Sequence, residues 1–504
     1  MNEFLLTRLR YYVDGRILEG SIHVRDSSIV ALYPVDAALP ADVQRLDCSG
    51  KLAIPGLVNA HTHSHNILAR GTLGASSLEV LIGNIDAANK DRTPEEAYAA
   101  AALNAIECVR GGSTALVDMF TTYPLSREHI DAVAEAYVDV GVRALIAPHF
   151  TDLSSQAHLP GFVESLPPDL RARIERDLAA TEVDLRIPAE ASQKWNHACE
   201  GRITFGLAPT VPHQCSDQLL EDTGRLAAEL GIPIHTHLAE SRTETVSSQT
   251  RFSGAFVARL IDFGILGEGD SAAHAIWLGR RDLGRLAEAG SVLVHCPSSN
   301  LRLGAGVARV NEWERAGVAW TLGSDGAVSS DNLNMLETIK CAGLSSRIWS
   351  HDTSTWLKAE QLLERAFAGS TRTLGSSHDL SGIRPGAQAD FTLFDTRSTY
   401  LAPGLDLVAQ LVYSETGASV SDVIVAGKFV LEEGRITTID EESAIEQVKL
   451  AGQAMIARNA EAWALAEQLR PYYNAVNTRT AQMPWRPADD AEPDWSESDL
   501  ILPF

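Results

Sequence analysis

The feature that most constrains this fold is an alternation of short apolar segments with amphipathic segments. The apolar segments are rich in Val, Ile, Leu and Ala and have the length of buried strands. Each is followed by a segment with the apolar period of a helix. The alternation occurs eight times between Leu52 and Gly343. Buried parallel strands that alternate with helices form α/β folds, and eight such units predict a closed (β/α)8 TIM barrel.

Two β-rich segments flank the eight units. Asp14-Gly15 has hairpin chemistry within the first segment, and Gly427 and Gly434 break the short apolar runs of the second. Because each segment is too small to bury a core alone, we predict that they pair into one small β-sandwich. The predicted domains are residues 1–55 and 385–440 for the β-sandwich, residues 56–384 for the barrel, and residues 441–504 for a C-terminal helix and an acidic tail.

Composition excludes several classes of function. The chain has 42 Lys and Arg against 66 Asp and Glu, a net charge of −24. A field of that sign repels nucleic-acid phosphates and anionic lipid. No apolar run reaches the length of a membrane helix, and the six cysteines include no CxxC pair. We therefore expect a cytoplasmic protein that acts on a small molecule, with neither a nucleic-acid nor a membrane partner.

Polar side chains occur at the carboxyl ends of the predicted strands. Those ends meet at one mouth of a barrel, where barrel enzymes keep their active sites, so we expect these side chains to converge. In His61-Thr62-His63 the period of a strand puts both imidazoles on one face. Imidazoles with one carboxylate suit Zn²⁺ or Fe²⁺ with an open position for water. The residues at these ends are His61, His63, His237, Glu240, His274 and Asp325.

Each of these residues taken singly has an ordinary structural interpretation. His274 alone is typical of a hydrogen-bonded core histidine, and Asp325 alone could cap the helix that follows. The shared position at strand ends favours the metal site. Of the other histidines, His235 shares the strand face of the candidate ligand two residues later and is expected to support it. His149 and His213 either contact substrate or pack in the core.

Five motifs, taken in order, resemble the amidohydrolase superfamily: PGLVNAHTHSHNILARG, HTHLAES, AAHAIWL, HCPSSNLRLGAG and TLGSDGAVSSDNLNM. They are similar to the mononuclear branch that holds S-adenosylhomocysteine and methylthioadenosine deaminases, guanine-type deaminases and triazine hydrolases. The resemblance implies one divalent metal, because strands 3 and 4 lack the lysine that binuclear members carboxylate. Zn²⁺ is expected and Fe²⁺ is the alternative. A homodimer or homotetramer is also implied.

The same resemblance assigns the site residues. His274 would orient the hydroxide or the attacked atom, although in some members the matching histidine is itself a ligand. Glu240 would shuttle protons. The implied metal ligands are His61, His63, His237 and Asp325.

Two departures from the family pattern concern the substrate. The run LAPTVPHQCSD has Thr210 where nucleoside deaminases have a histidine, and no tryptophan follows the RG motif. Both put a thioadenosine or homocysteine substrate in question. The candidate substrate contacts on the loops are Arg70, Thr210, Gln214 and Ser329, each with a loop or capping role as the alternative.

Together the residues predict hydrolytic attack on an sp² carbon flanked by nitrogen, with ammonia or an amine leaving a purine-, pyrimidine- or triazine-like substrate. Hydroxide formed at the metal attacks, Asp325 accepts its proton and His274 steadies the addition. Glu240 protonates the ring nitrogen and then the amine, which favours deamination over dechlorination. Hydrolysis of a non-peptide amide, urea or amidine C–N bond is the alternative. A barrel that binds a ligand without catalysing a reaction is the more remote alternative.

Overall fold

The computed structural model describes residues 3–483 except 177, 179, 180, 254, 370, 377 and 378. The described residues form a mixed α/β structure, as the sequence predicts. The predicted acidic tail, with its acids between Asp489 and Asp499, lies outside the described residues. Among the helices described, none is both long and apolar enough to span a bilayer.

The strands are β1 (Glu3–Val13), β2 (Arg16–Arg25), β3 (Ser28–Pro34), β4 (Gln44–Asp47), β5 (Lys51–Pro55), β6 (Leu57–Thr62), β7 (Ser113–Asp118), β8 (Arg143–Ile146), β9 (His149–Phe150), β10 (Ile203–Phe205), β11 (Ala208–Pro209), β12 (His235–Leu238), β13 (Ser271–His274), β14 (Val292–His295), β15 (Ala319–Leu322), β16 (Phe391–Asp395), β17 (Val420–Val425), β18 (Lys428–Glu432) and β19 (Arg435–Ile436).

The helices are α1 (Leu78–Asn89), α2 (Pro94–Arg110), α3 (Arg127–Val140), α4 (Phe162–Ser165), α5 (Pro168–Arg176), α6 (Arg186–Trp195), α7 (Ala198–Gly201), α8 (Asp217–Leu230), α9 (Arg242–Arg251), α10 (Phe256–Asp262), α11 (Arg280–Ala289), α12 (Pro297–Arg302), α13 (Val310–Ala316), α14 (Met335–Ser345), α15 (Ala359–Glu364), α16 (Leu407–Tyr413), α17 (Glu441–Arg458) and α18 (Ala460–Ala481).

Parallel strands carry the candidate site. One four-stranded sheet has the order β10-β8-β7-β6 and another the order β12-β13-β14-β15. Leu207 pairs with Ile234 in parallel, which links the first sheet to the second after β10. At the other side the Asp325 amide, just beyond the end of β15, donates to the His61 carbonyl within β6 at 2.9 Å. The eight strands therefore follow one another in chain order, with hydrogen bonds on both sides between the sheets.

Helix α2 shows how the sequence sets the elements between these strands. Thr93 caps the helix by accepting from the Glu96 amide at 3.3 Å, and the Glu96 carboxylate accepts from the Thr93 amide at 3.1 Å. Pro94 occupies the first turn, where its missing N–H costs nothing. Ala97, Ala101 and other small residues are buried along the helix, so α2 packs closely against its neighbours.

The two flanking β-rich segments share one nine-stranded sheet. Its order is β19-β18-β17-β16-β5-β1-β2-β3, and β4 pairs with β1. The antiparallel pair of β5 and β16 joins the N-terminal to the C-terminal segment, from Lys51 opposite Asp395 to Pro55 opposite Phe391. A separate apolar cluster draws on both segments, with Phe4 and Ile22 beside Phe391. The segments pair as expected, and their arrangement as two packed layers stays a prediction.

Two regions differ from the sequence expectation. The segment after β19 contains two helices rather than one, because Asn459 leaves the helical conformation and donates from Nδ2 to the Lys90 carbonyl at 2.8 Å. Helix α18 then packs against α1. The segment after the RG motif, for which the sequence analysis gives no helix, forms α1.

Candidate metal centre and active-site cavity

The imidazoles of three candidate ligands meet around one point at the carboxyl ends of β6 and β12. One ring nitrogen each from His61, His63 and His237 lies within 4.8 Å of the other two. Nε2 of His63 is 3.1 Å from Nε2 of His237. Asp325 reaches the same point, with Oδ1 at 3.4 Å from His61 Nε2 and 3.2 Å from His63 Nε2. All four side chains are buried.

Backbone acceptors fix the protonation of two of these rings. Nδ1 of His63 donates to the Met119 carbonyl at 2.6 Å, and Nδ1 of His237 donates to the Thr210 carbonyl at 2.7 Å. Since a carbonyl can only accept, both Nδ1 atoms carry the proton, and in a neutral ring Nε2 then carries a lone pair. Burial holds the pKa of His237 well below its usual range, so this ring is neutral. Burial opposes protonation of His63, but its hydrogen bond to Asp325 raises the pKa of this ring, so the 3.1 Å contact sets the lone pair of His237 beside a nitrogen that holds a proton or, in its place, faces a cation.

The third ring is held by a side-chain relay. Nδ1 of His61 is 2.7 Å from Nε2 of His235, whose Nδ1 is 2.7 Å from Ser271 Oγ. Nε2 of His61 is buried without a hydrogen-bond partner. Burial lowers the pKa of His61 to about 3, so it too offers a lone pair. The relay orients the ring in the way that partners of metal-binding histidines commonly do.

This donor set fits a divalent metal. Ligand atoms in a tetrahedral zinc site with bonds of about 2.05 Å are about 3.3 Å apart, close to the separations here. The carboxylate is fixed as well, because Ser299 Oγ donates to Asp325 Oδ2 at 2.6 Å and the Gly326 amide donates to Oδ1 at 2.7 Å. Burial opposes ionisation of Asp325, but the His61 and His63 rings hold its pKa well below the usual range.

Two further groups face the same point from β13 and the loop after β12. Nδ1 of His274 donates to Asn300 Oδ1 at 2.9 Å, and its Nε2 is buried without a hydrogen-bond partner. That Nε2 is 3.6 Å from Glu240 Oε2. Burial, together with the charges of Asp325 and Glu244, raises the pKa of Glu240 well above its usual range. The surroundings thus favour the protonated form of Glu240 and the ionised form of Asp325.

The backbone at this cluster is strained. His274 has φ 71° and Asp325 has φ 68°, in the left-handed region that side chains rarely adopt. Such strain collects where the surrounding structure must aim a side chain. Gly323 adds a close approach, because a Cβ there would meet His61 Cβ at 2.7 Å and His61 N at 2.8 Å. Gly323, the first glycine of the TLGSDG run, is therefore required for this run to pack directly against the strand that carries His61.

A cavity of about 830 Å³ opens onto the cluster. Arg70 does not line it, because its guanidinium pairs with Glu107 at the surface, so Arg70 is withdrawn as a substrate contact. The other sequence candidates do line it: Thr210, Gln214, Ser329, His149 and His213.

Several residues of the site escaped the sequence reasoning. Ser299 and Asn300 lie in the HCPSSN run, where a motif signal existed. His65 lines the cavity and continues the alternation of His61 and His63. Asp118 accepts from the amide and hydroxyl of Ser64 at 2.8 and 2.6 Å, which anchors the turn after His63. Asp118 ends β7, the same strand-end position that marks the candidate ligands, so a signal for it was present in the sequence.

Comparison with known proteins extends the resemblance. The model of the family described as "Amidohydrolase family" matches residues 52–430. The chain is 32% identical to a 5-methylthioadenosine/S-adenosylhomocysteine deaminase of Moorella thermoacetica, over 86% of this chain and 95% of that protein. It is 30% identical to a 5'-deoxyadenosine deaminase of Methanosarcina mazei, with 88% and 95% covered. A zinc-bound adenosine deaminase structure from Xanthomonas campestris has a TM-score of 0.77 at 25% identity, with 90% and 99% covered.

Proposed function

Because the chain belongs to the amidohydrolase family, we propose that it is a zinc-dependent deaminase that releases ammonia from an amino-substituted N-heterocycle. The names of the relatives make an adenine nucleoside the first candidate substrate. The observation that carries this proposal is the convergence of three imidazoles and two carboxyl groups at one end of the cavity. Asp325 lies beside His61 and His63, and Glu240, His274 and Asp325 bring one ligand atom each within 4.8 Å of one another.

The residues present would hold one metal ion through His61, His63, His237 and Asp325. When bound, such an ion supplies a nucleophilic hydroxide from water at neutral pH, since it lowers the pKa of that water to about 7. His274 turns an Nε2 that no described group hydrogen-bonds toward the same point, and it would orient the attacking water there. The lone pairs on neutral imidazoles are what a zinc ion requires.

Proton transfers follow from the two carboxyl groups. Asp325, ionised and anchored by Ser299 and Gly326, accepts the proton of the attacking water. His274 accepts a hydrogen bond from that water through Nε2 and holds it against the ring. Glu240 donates its proton to the heterocyclic nitrogen next to the attacked carbon. Glu240 would then carry the proton of the newly formed hydroxyl group to the departing amine, which is a poor leaving group until protonated, and the proton held by Asp325 would return to Glu240.

Substrate contacts are proposed at three residues that line the cavity. Ser329 lies on the turn after Asp325, and its hydroxyl donates to the Gly326 carbonyl at 3.0 Å. The Thr210 carbonyl accepts from His237 Nδ1 at 2.7 Å, and the Thr210 residue lines the cavity beside this ligand. Gln214 is buried in the same wall. Amide and hydroxyl groups at these places suit hydrogen bonding to ring nitrogens.

The finer architecture is also part of the proposal. The contacts between Leu207 and Ile234 and between Asp325 and His61 support closure of the eight parallel strands into a (β/α)8 barrel. Residues 56–384 would form that barrel, and residues 1–55 and 385–440 the β-sandwich beside it. Location in the cytoplasm and assembly as a dimer or tetramer remain predictions from composition and from the family.

The first experiment measures ammonia release and bound metal on the same preparation. Purines, pyrimidines, nucleosides, triazines and aryl amides form the panel, and Glu240→Gln is compared with Glu221→Gln, an exposed carboxyl on α8. We expect about one zinc per chain in all three proteins and a loss of about 10²- to 10⁴-fold in kcat for Glu240→Gln alone.

Two results would contradict the proposal. Normal turnover by Glu240→Gln would remove the proton donor. An amine or acid released from an amide, without ammonia from any heterocycle, would put C–N hydrolysis of amides in its place.

A further inference from the structure

Helix α18 supplies one wall of the active-site cavity, although it lies beyond residues 52–430 that the family model matches. Five of its residues line the cavity at helical spacing, so a single face of the helix is turned inward. These residues are Ala462, Leu465, Ala466, Leu469 and Tyr473.

This wall is firmly attached to the elements around the cavity. Tyr473 is fully buried, stacks on Phe162 with ring centroids 4.6 Å apart, and accepts from Gln156 Nε2 at 3.1 Å. Nearer the end of the helix, the hydroxyls of Thr480 and Thr243 are 2.7 Å apart. Thr243 lies in α9, three residues after the proton donor. Helix α18 is therefore hydrogen-bonded to α9, the helix that begins directly after the Glu240 loop.

The surface that faces α18 is apolar where it is remote from the metal centre. This part of the cavity is lined by Leu81 and Ile85 of α1 and by Leu159, which lies just before α4. The charged residues among the described lining are mainly acidic, and Lys90 is the one Lys or Arg among them. Outside the metal centre the lining carboxylates include Glu79, whose Oε1 accepts from Ser241 Oγ at 3.0 Å. An anionic substituent would meet repulsion here with little compensation.

We propose that α18 is the specificity-determining wall of this enzyme. It binds an uncharged, apolar substituent of the substrate, on the side away from the attacked carbon, and the acidic lining disfavours a substituent that carries a carboxylate. The proposal rests on the proposed function for the position of the heterocycle, since that function places the reacting ring at the metal centre.

The kinetic test uses adenine nucleosides that differ at the 5' position. The substituents are hydrogen in 5'-deoxyadenosine, methylthio in 5'-methylthioadenosine, and an anionic carboxymethylthio group in 5'-(carboxymethylthio)-5'-deoxyadenosine. We expect the wild type to prefer the methylthio compound over the carboxylate by at least about tenfold in kcat/KM. Ala466→Leu should raise KM for the methylthio compound by about tenfold, the scale of added bulk in an apolar pocket, with kcat little changed. The matched control is Ala464→Leu on the exposed face of the same helix.

A second measurement does not depend on turnover. Ala466→Cys and Ala464→Cys are treated with uncharged, cationic and anionic methanethiosulfonates, and the mass of the protein reports the mixed disulfide above the wild-type background. We expect Ala466→Cys to react fully with the uncharged reagent. Its reaction with the anionic reagent should be at least about tenfold slower than that of Ala464→Cys.

The outcomes separate the two proposals. Absence of ammonia from every heterocycle overturns the proposed function, while the labelling still decides whether the wall faces an open, anion-rejecting cavity. Equal KM values for Ala466→Leu and Ala464→Leu, or equal labelling by anionic and uncharged reagents at 466, overturn the role of α18.

Discussion

His235 should control zinc affinity without touching the metal. In His235→Phe the ring volume is nearly kept, but Nδ1 of His61 loses its partner at 2.7 Å and stays buried. A buried donor left without an acceptor costs about 1–3 kcal/mol. At about 1.4 kcal/mol for each tenfold change, we expect zinc to bind about 5- to 140-fold more weakly, which overlaps the roughly 10- to 100-fold range found for partners of metal-binding histidines. Competition with a chromophoric chelator measures the constant directly.

Two companion variants sharpen this test. Ser271→Ala removes only the far hydrogen bond of the relay, which leaves His235 in contact with His61, so the loss should be smaller. His213→Phe changes another buried imidazole of the cavity that makes no ring contact with the ligands within the described structure, and zinc affinity should not change. Zinc binding by a folded His235→Phe protein as tight as in the wild type would refute the relay as the element that orients His61.

Three further changes test other parts of the structure. Gly323→Ala should abolish zinc binding and activity in a protein that still folds, because its Cβ would fall 2.7 Å from His61 Cβ; full zinc loading would contradict this. Burial raises the pKa of Asp270 from 3.8 to about 7, so the folded state loses up to about 4 kcal/mol of stability as pH rises through that window. In Asp270→Asn, urea unfolding at pH 5 and pH 8 should show a smaller fall than in the wild type, and an equal fall would refute the assignment. Asp390→Asn leaves the buried Arg143 guanidinium without its carboxylate and should cost about 3–5 kcal/mol in urea unfolding, while a loss below 1 kcal/mol would show that the pair contributes little.

The candidate ligands were accessible to sequence reasoning because their positions are set locally. His61 and His63 alternate along one strand, and a strand that ends at a mouth shared with the others must bring its last residues there. His237 and Asp325 follow the same rule. Convergence of such residues needs only the strand pattern and its order, both of which are visible in the chain.

The remaining features depend on contacts between distant segments. The RG motif gives no sign that Arg70 pairs with Glu107 on α2. The buried position of Tyr473 depends on stacking against Phe162, the first residue of α4, which lies about 300 residues earlier in the chain. Helix α1 has a weak helical signal in the sequence because it contains Gly83 and Asn84, and it forms where it packs against α18. Tertiary packing, which no local pattern records, decided each of these cases.

The shared nine-stranded sheet also governs the order in which this protein can be completed on the ribosome. Strand β5 pairs with β16, and all eight parallel strands are encoded between them. At ordinary elongation rates the edge of β5 therefore waits on the order of tens of seconds for its partner. During that interval its unpaired N–H and C=O groups form an open sheet edge, the kind of surface that recruits other chains. We therefore expect this protein to depend on chaperones during synthesis, and we expect truncated products that stop before Phe391 to aggregate.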